Sequence, residues 1–246
     1  MDFSGKNIWI IGASSGIGEA LARELASQGA SLALSARRQK QLDALNKDLG
    51  GEHEVLPLDV TDVAALQSAV KTLQEKWSRI DSVIFMAAIY APTMLNKLDI
   101  EQTHKMVDVN LNGAFNTVFA TLPALEKGSQ IALCASVAGY RGLPGGQPYS
   151  ATKAAIINLA ESLRAEQSRK GIDVKVINPG FVETPLTDKN DFDMPMITTP
   201  EKAAKAIAKG LKSRSFEIHF PKKFTFLVKL VSILPAPLYF FLMNKK

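Results

Sequence analysis

Tyr149 and Lys153 stand four residues apart, and Ser136 lies 13 residues before the tyrosine. On a helix, side chains at i and i+4 share a face, which sets a phenol and an ammonium one turn apart. A phenol with its ordinary pKa of about 10 is a poor acid–base group at neutral pH. A neighbouring ammonium favours the phenolate, so Lys153 is expected to draw the Tyr149 pKa down toward the working range. Ser136 follows the apolar run Gln130-Ile131-Ala132-Leu133-Cys134, which reads as a central strand. In a parallel α/β sheet, the C-terminal edge of such a strand is where ligands bind.

A second set lies near the N-terminus. Gly12-Ala13-Ser14-Ser15-Gly16-Ile17-Gly18 follows the strand-like Asn7-Ile8-Trp9-Ile10-Ile11 and opens a helix. Glycine serves there for a tight turn, for close approach of backbone to a pyrophosphate, and for helix–strand packing. Amides at the helix N-terminus then hold the phosphates. The order of strand, glycine turn and helix points to a dinucleotide. The next strand ends at Arg37-Arg38, where an NAD site usually carries an acidic residue for the ribose 2′-hydroxyl. Two guanidiniums with no carboxylate beside them suit a 2′-phosphate, so NADP(H) is the expected cofactor.

The elements that must position these groups alternate along the chain. Strands are expected at 7–11, 31–35, 54–58, 82–86, 130–134 and 174–177, from short apolar runs. Helical spacing covers 19–28, 39–49, 63–77, a long stretch around 100–125, 149–170 and 200–211. Asp62 or Thr61 caps the third helix, and Pro200 sits in the first turn of the last. Apolar strands separated by helices mean a parallel sheet covered on both faces. The expected fold is α/β, a Rossmann-like doubly wound sheet of about seven strands in three layers.

Composition agrees with an ordinary globular chain: 246 residues, 46% hydrophobic and 22% charged. A core of that size needs neither disulfide nor structural metal. One cysteine, Cys134, excludes a disulfide framework, and His53, His104 and His219 are too scattered for a metal site. Cys134 reads as a buried thiol within a strand and His104 as a solvated helix residue. The opening Met1-Asp2-Phe3-Ser4-Gly5-Lys6 runs directly into a strand, so no leader is expected and the compartment is expected to be the cytoplasm. Charge is unevenly divided. Residues 1–200 carry 19 Lys and Arg against 22 Asp and Glu, a net of −3, while residues 201–246 carry 10 against 2, a net of +8. A basic end on an acidic body points to an anionic surface met by the C-terminus. Nucleic acid is not expected as a partner, because the body has no basic groove interleaved with aromatics.

Gly12, Gly16, Gly18, Asp59-Val60, Asn110, Ser136, Tyr149 with Lys153, and Pro179-Gly180 through Thr184 occur in order. In this combination the chain, over about residues 5–220, resembles the compact short-chain dehydrogenases/reductases. The resemblance implies hydride transfer between NADP(H) and a carbonyl–alcohol pair, primary or secondary, in a homodimer or homotetramer. It implies that Tyr149 exchanges the proton with the substrate oxygen, which Ser136 orients. Lys153 would lower the Tyr149 pKa and bond the nicotinamide ribose, and Asn110 would hold a water linking Lys153 to solvent. On local sequence alone, Asn110 is equally a residue that caps or kinks a helix. The implied cradle is Gly12, Ser14, Ser15, Gly16, Ile17, Gly18, Arg37, Arg38, Asp59, Val60 and Ala87. Tyr149, Lys153, Pro179, Gly180, Val182 and Thr184 complete it, with Thr184 near the nicotinamide carboxamide and no metal. Three departures stand out: Phe85-Met86-Ala87-Ala88 replaces Asn-Asn-Ala-Gly, Ile11 replaces a threonine, and Cys134-Ala135-Ser136 keeps one hydroxyl of a serine pair. The loss of both amides is the main support for the rival reading, a catalytically idle dinucleotide-binding sensor or scaffold.

Two segments leave alternatives open. Residues 186–199 mix Asp188, Asp191 and Asp193 with Phe192, Met194, Pro195 and Met196, which suits either a lid over an apolar, lipid-like substrate or a plain surface loop. Residues 1–221 are read as the catalytic domain and 222–246 as a tail, apolar from Phe224 to Met243 between Lys222-Lys223 and Lys245-Lys246. The tail reads as an anchor on the inner face of a membrane or as a segment packed on the pocket or a partner subunit. Lys229 and Pro235-Ala236-Pro237 argue against a simple spanning helix.

Overall fold

The computed structural model describes residues 2–190 and 192–244. Asp191 of the mixed loop and Lys245 and Lys246 of the basic end therefore lie outside the described residues. The strands are β1 (Asn7–Ile11), β2 (Ser31–Ser35), β3 (Glu54–Val55), β4 (Ser82–Phe85), β5 (Gln130–Cys134), β6 (Asp173–Pro179) and β7 (Glu217–Phe220). They form one parallel sheet in the order β3-β2-β1-β4-β5-β6-β7. The chain starts in the middle, winds outward to β3, then returns across β1 to wind outward the other way. The crossover between β1 and β4 leaves a crevice at the C-terminal edge of the sheet.

Alternation within each strand divides two cores. Trp9, Ile11, Val83, Phe85, Ile131, Leu133, Val174 and Val176 face α3 (Val63–Lys76), α5 (Gly113–Thr121) and α6 (Tyr149–Gln167). Ile8, Ile10, Leu32, Leu34, Ile84, Ala132 and Ile177 face α1 (Gly16–Ser27), α2 (Gln39–Asp48) and α7 (Pro200–Lys212). Buried faces on both sides explain why these strands read as unbroken apolar runs. Among the buried polar groups at the lower edge is Asp81, 3% exposed. Its carboxylate accepts from the Asn7 amide at 3.0 Å and from Lys6 at 3.1 Å, with the Arg79 guanidinium 3.2 Å away. These contacts tie the start of β1 to the start of β4.

Several boundaries differ from the sequence reading. The expected strand 54–58 shortens to two residues, because only Glu54 and Val55 find ladder partners on β2. β7 fell outside the six located strands; at four residues, its HisPhe end running into Pro221, it gave little apolar signal. The expected helical stretch around 100–125 runs unbroken from Ile100 to Thr121, but not as regular α-helix throughout. α4 (Ile100–Val107) passes through a π-turn at Asp108–Asn112 into α5, and Asp99 caps α4 by accepting from the amides of Glu101 and Gln102. Asp62 caps α3, accepting from the Ala65 amide at 3.0 Å, and Pro200 sits in the first turn of α7 behind Thr199. Past Pro221 the tail forms α8 (Lys222–Ser232) and α9 (Ala236–Met243), broken at Pro235. Among the described residues, no helix is long and apolar enough to cross a membrane.

Replacing Asp81 by Ala leaves the Asn7 amide without its partner and two cations without their counter-ion. Because Lys6 and Arg79 can turn to water, the expected loss is about 1–3 kcal/mol in urea unfolding, with an unchanged m-value.

Candidate active site

At the crevice lies a cleft of about 390 Å³, and every residue expected to hold a dinucleotide lines it, from Gly12 to Thr184. Close backbone approach makes the cradle. Gly12 has φ +103°, and a Cβ there would lie 2.6 Å from the Ala87 amide nitrogen. On Gly18 a Cβ would fall 2.1 Å from the Gly12 carbonyl oxygen. Both glycines are thus required for β1, β4 and α1 to converge, and side-chain bulk is excluded where phosphates would lie.

The two arginines differ in setting. Arg38 reaches across the glycine turn and donates to the Ser14 and Ser15 hydroxyls at 2.9 and 2.7 Å. Arg37 points to Asp59, with 3.7 Å between guanidinium and carboxylate. The expectation that no carboxylate stands near the pair is therefore corrected: Asp59 arrives from the turn after β3, far away in sequence.

On the opposite wall, Lys153 is 2% exposed and donates to the Cys134 carbonyl at 2.9 Å. Gly139 makes this possible, since a Cβ there would strike the Lys153 backbone at 2.7 Å. Ser136 caps the short turn Val137–Gly139 and accepts from the Ala138 amide at 3.1 Å. The Lys153 nitrogen sits 5.4 Å from the centre of the Tyr149 ring. The expected lowering of the Tyr149 pKa does not occur in this arrangement. Burial pushes the phenol well above its ordinary value, the Cys134 thiol adds to that, and a hydrogen bond with Ser136 only partly opposes it. Burial likewise pushes Lys153 down. Cys134 is a buried thiol as expected, raised by burial with Lys153 working the other way.

Asn110 does not line the cleft. It is fully buried in the π-turn, accepts from the Ile89 amide at 2.8 Å and donates to the Ile89 carbonyl at 3.0 Å and the Thr152 hydroxyl at 3.3 Å. It therefore clamps the segment after β4 against α6. Phe85 and Met86 stand where the family carries amides; Phe85 is buried in one core, and Met86 packs against the other, partly buried, and lines the cleft. Apolar contact replaces a polar tie there.

Sequence reasoning missed Tyr90. Its ring meets the Tyr149 ring edge-on at 4.8 Å, and its hydroxyl donates to Asn190 at 2.7 Å. Also missed was the cluster around Glu217, which accepts from Tyr140, Asn178 and Lys229. Nothing local marks either one, since each joins segments from 39 to 100 residues apart or the tail to β7. In the mixed loop, Thr187 holds the start, accepting from the Thr184 amide at 3.0 Å and donating to the Val182 carbonyl. Phe192 and Met196 further on are exposed.

A doubly wound parallel sheet with a glycine cradle and a Ser–Tyr–Lys cluster on one crevice defines a nucleotide-type α/β fold. Residues 6–194 match the short chain dehydrogenase family, and the chain belongs to it. An uncharacterized oxidoreductase of Myxococcus xanthus is 33% identical over 243 residues, spanning 97% of this chain and 96% of that protein. The 3-oxoacyl-(acyl-carrier-protein) reductase of Escherichia coli is 33% identical over 189 residues, 76% of this chain and 78% of that one. Among solved structures, a short chain dehydrogenase from Burkholderia cenocepacia in complex with NADP superposes with a TM-score of 0.87 at 23% identity. That match covers 99% of this chain and 100% of the other. A Burkholderia phymatum family member in complex with NAD gives 0.84 at 23% identity, covering 94% of each chain.

Asn110→Ala removes the partner of the half-buried Ile89 amide and carbonyl. Each orphaned group costs about 1–3 kcal/mol, so the variant should unfold at clearly lower urea concentration. An unchanged midpoint would show that the clamp is dispensable.

Proposed function

We propose that the chain is an NADP(H)-dependent reductase and dehydrogenase acting on a carbonyl–alcohol pair of an apolar, lipid-like substrate. The observation that carries this reading is the meeting of Ser136, Tyr149 and Lys153 on one cleft with the glycine cradle. A bound nicotinamide dinucleotide supplies the hydride. Its site fits the residues present: Gly12 and Gly18 leave room only backbone can border, and the Arg38 guanidinium stands at the Ser14–Ser15 turn.

With its pKa raised, the Tyr149 phenol holds its proton at neutral pH, which is the form that reduction consumes. Tyr149 gives that proton to the substrate oxygen while Ser136 donates to the same oxygen and fixes its place. The Lys153 ammonium then faces the phenolate left behind, and attraction across a water-poor site is stronger than in solvent. In oxidation the same proton moves back to Tyr149. Asn110 acts by holding Ile89 and Thr152, and so the wall and the helix that carry Tyr149.

Tyr90, Ile89 and Leu186 line the cleft, and in the loop beyond Leu186 Phe192 packs on Phe181 at 5.8 Å, which favours an apolar substrate under a partial lid. On α5, Phe115 and Phe119 lie one turn apart and are half exposed or more, which supports a homo-oligomeric assembly. The idle-scaffold reading rests on Phe85 and Met86, but Phe85 is buried in one core and Met86 packs against the other, which leaves the proton-transfer groups untouched.

Tyr149→Phe keeps the ring and removes the proton. Turnover of a test ketone should fall at least ~10²-fold while NADPH still quenches intrinsic fluorescence. Undiminished turnover would overturn the mechanism. Cofactor choice is separately testable: NADPH should bind about 2–4 kcal/mol more tightly than NADH, and Arg38→Asp should shrink or reverse the gap. Equal affinities in the unmutated protein would overturn the NADP assignment.

A further inference from the structure

We propose that α8 and α9 form a platform that docks the protein on an anionic lipid bilayer, lying along its surface. The helix α8 has its polarity inverted. Thr225, Lys229 and Ser232, spaced four and three residues apart, face the body: the Thr225 hydroxyl meets His219, Lys229 pairs with Glu217, and the Ser232 carbonyl accepts from Arg141 at 2.8 Å. The outward face carries Phe226, Leu227, Leu230 and Ile233, between 45% and 77% exposed. A helix against a body in water shows the reverse arrangement. On α9, Tyr239 turns inward to bond the Gly142 carbonyl and stack on the Arg141 guanidinium, while Leu238, Phe240, Phe241 and Leu242 are exposed. Eight exposed large apolar side chains on two successive short helices mark an interaction surface.

Charge selects the occupant. Residues 218–246 hold no Asp or Glu, so no acidic side chain of α8 or α9 repels a negative surface. The pairing of Glu217 with Lys229 leaves Lys222 and Lys223, both exposed at the start of α8, as the cations beside the apolar face. Lysines flanking outward aromatic and leucine side chains match the acyl and headgroup layers of an anionic leaflet. Length sets the mode. Helices of 11 and 8 residues reach only about 16 and 12 Å, far short of the ~30 Å hydrocarbon layer, so they lie in the interface.

The full chain is sedimented with vesicles of phosphatidylcholine alone or mixed with phosphatidylglycerol. It should pellet with the mixed vesicles and be released by high salt. Lys222→Glu with Lys223→Glu should weaken binding at least ~10-fold, since each basic group contributes about 1 kcal/mol. Phe226→Ser with Ile233→Ser should abolish binding while leaving the thermal midpoint and ketone turnover unchanged, because both positions are exposed and remote from the cleft. Equal binding to neutral vesicles, or none to either in the unmutated chain, would overturn the proposal. So would a stable oligomer that these serine substitutions split into monomers, which would assign the face to a second copy.

Discussion

The ammonium of Lys153, sealed from water, is the constraint on which the catalytic edge depends. A buried cation is tolerable only with good acceptors, and the Cys134 carbonyl at 2.9 Å is one. That bond fixes the height of α6 against the end of β5. Tyr149, one turn earlier, is thereby placed over the crevice, and Ser136, two residues past the acceptor carbonyl, is brought beside it. Gly139 allows the backbones to close, and any side chain there would push α6 outward. Because burial lowers the Lys153 pKa, the charge works against the fold. A folded-state pKa below the unfolded one means that stability rises with pH through that interval, so neutral pH lies on the costly side. Such strain is found where chemistry needs a charge in a poor solvent.

The second wall is organised by the absence of side chains. Gly12 and Gly18 let β1, β4 and α1 meet within backbone contact, which is why the crevice opens above β1 and β4. Where family members carry amides at the end of β4, this chain carries Phe85, buried in one core, and Met86, which packs against the other and lines the cleft. Dispersion and hydrophobic burial hold strands together as effectively as a polar tie if the volume fits. The remaining polar need, the half-buried backbone of Ile89, is met by Asn110 from the π-turn between α4 and α5.

Much of this was legible in the sequence. Unbroken apolar strands, the glycine turn and the Tyr149–Lys153 spacing each reflect a local rule, and local rules survive folding. What the sequence hid depends on distant partners. Asp59 beside Arg37, Tyr90 against Tyr149 and Glu217 beneath Tyr140 come together only after the crossovers are made. The electrostatics of Tyr149 escaped for the same reason: spacing shows an ammonium nearby, whereas burial, the largest cause of the raised pKa, is a property of the closed cleft. β7 was missed because its pairing with β6, rather than its own four residues, makes it a strand.

The seam between body and tail shows how an outward-apolar helix can stay in place in water. Glu217 accepts from Tyr140 in the turn after β5, from Asn178 on β6 and from Lys229 on α8. Burial by itself would raise its pKa, but the bonds from Lys229, Tyr140 and Asn178 together hold it below the usual carboxylate range. A depressed folded pKa means a contribution present at neutral pH and lost as the medium becomes acidic. Tyr140 belongs to the chain segment that leaves Ser136, and Asn178 to the strand that delivers Pro179 and Gly180 to the cleft. A Cβ on Gly180 would strike the Phe224 ring of α8 at 2.8 Å, so the tail also borders the floor of the site. The polar side of α8 is thus spent on the catalytic edge, and its apolar side is left facing outward. That division follows from one carboxylate serving three elements, and it keeps the tail's orientation tied to the geometry of the crevice.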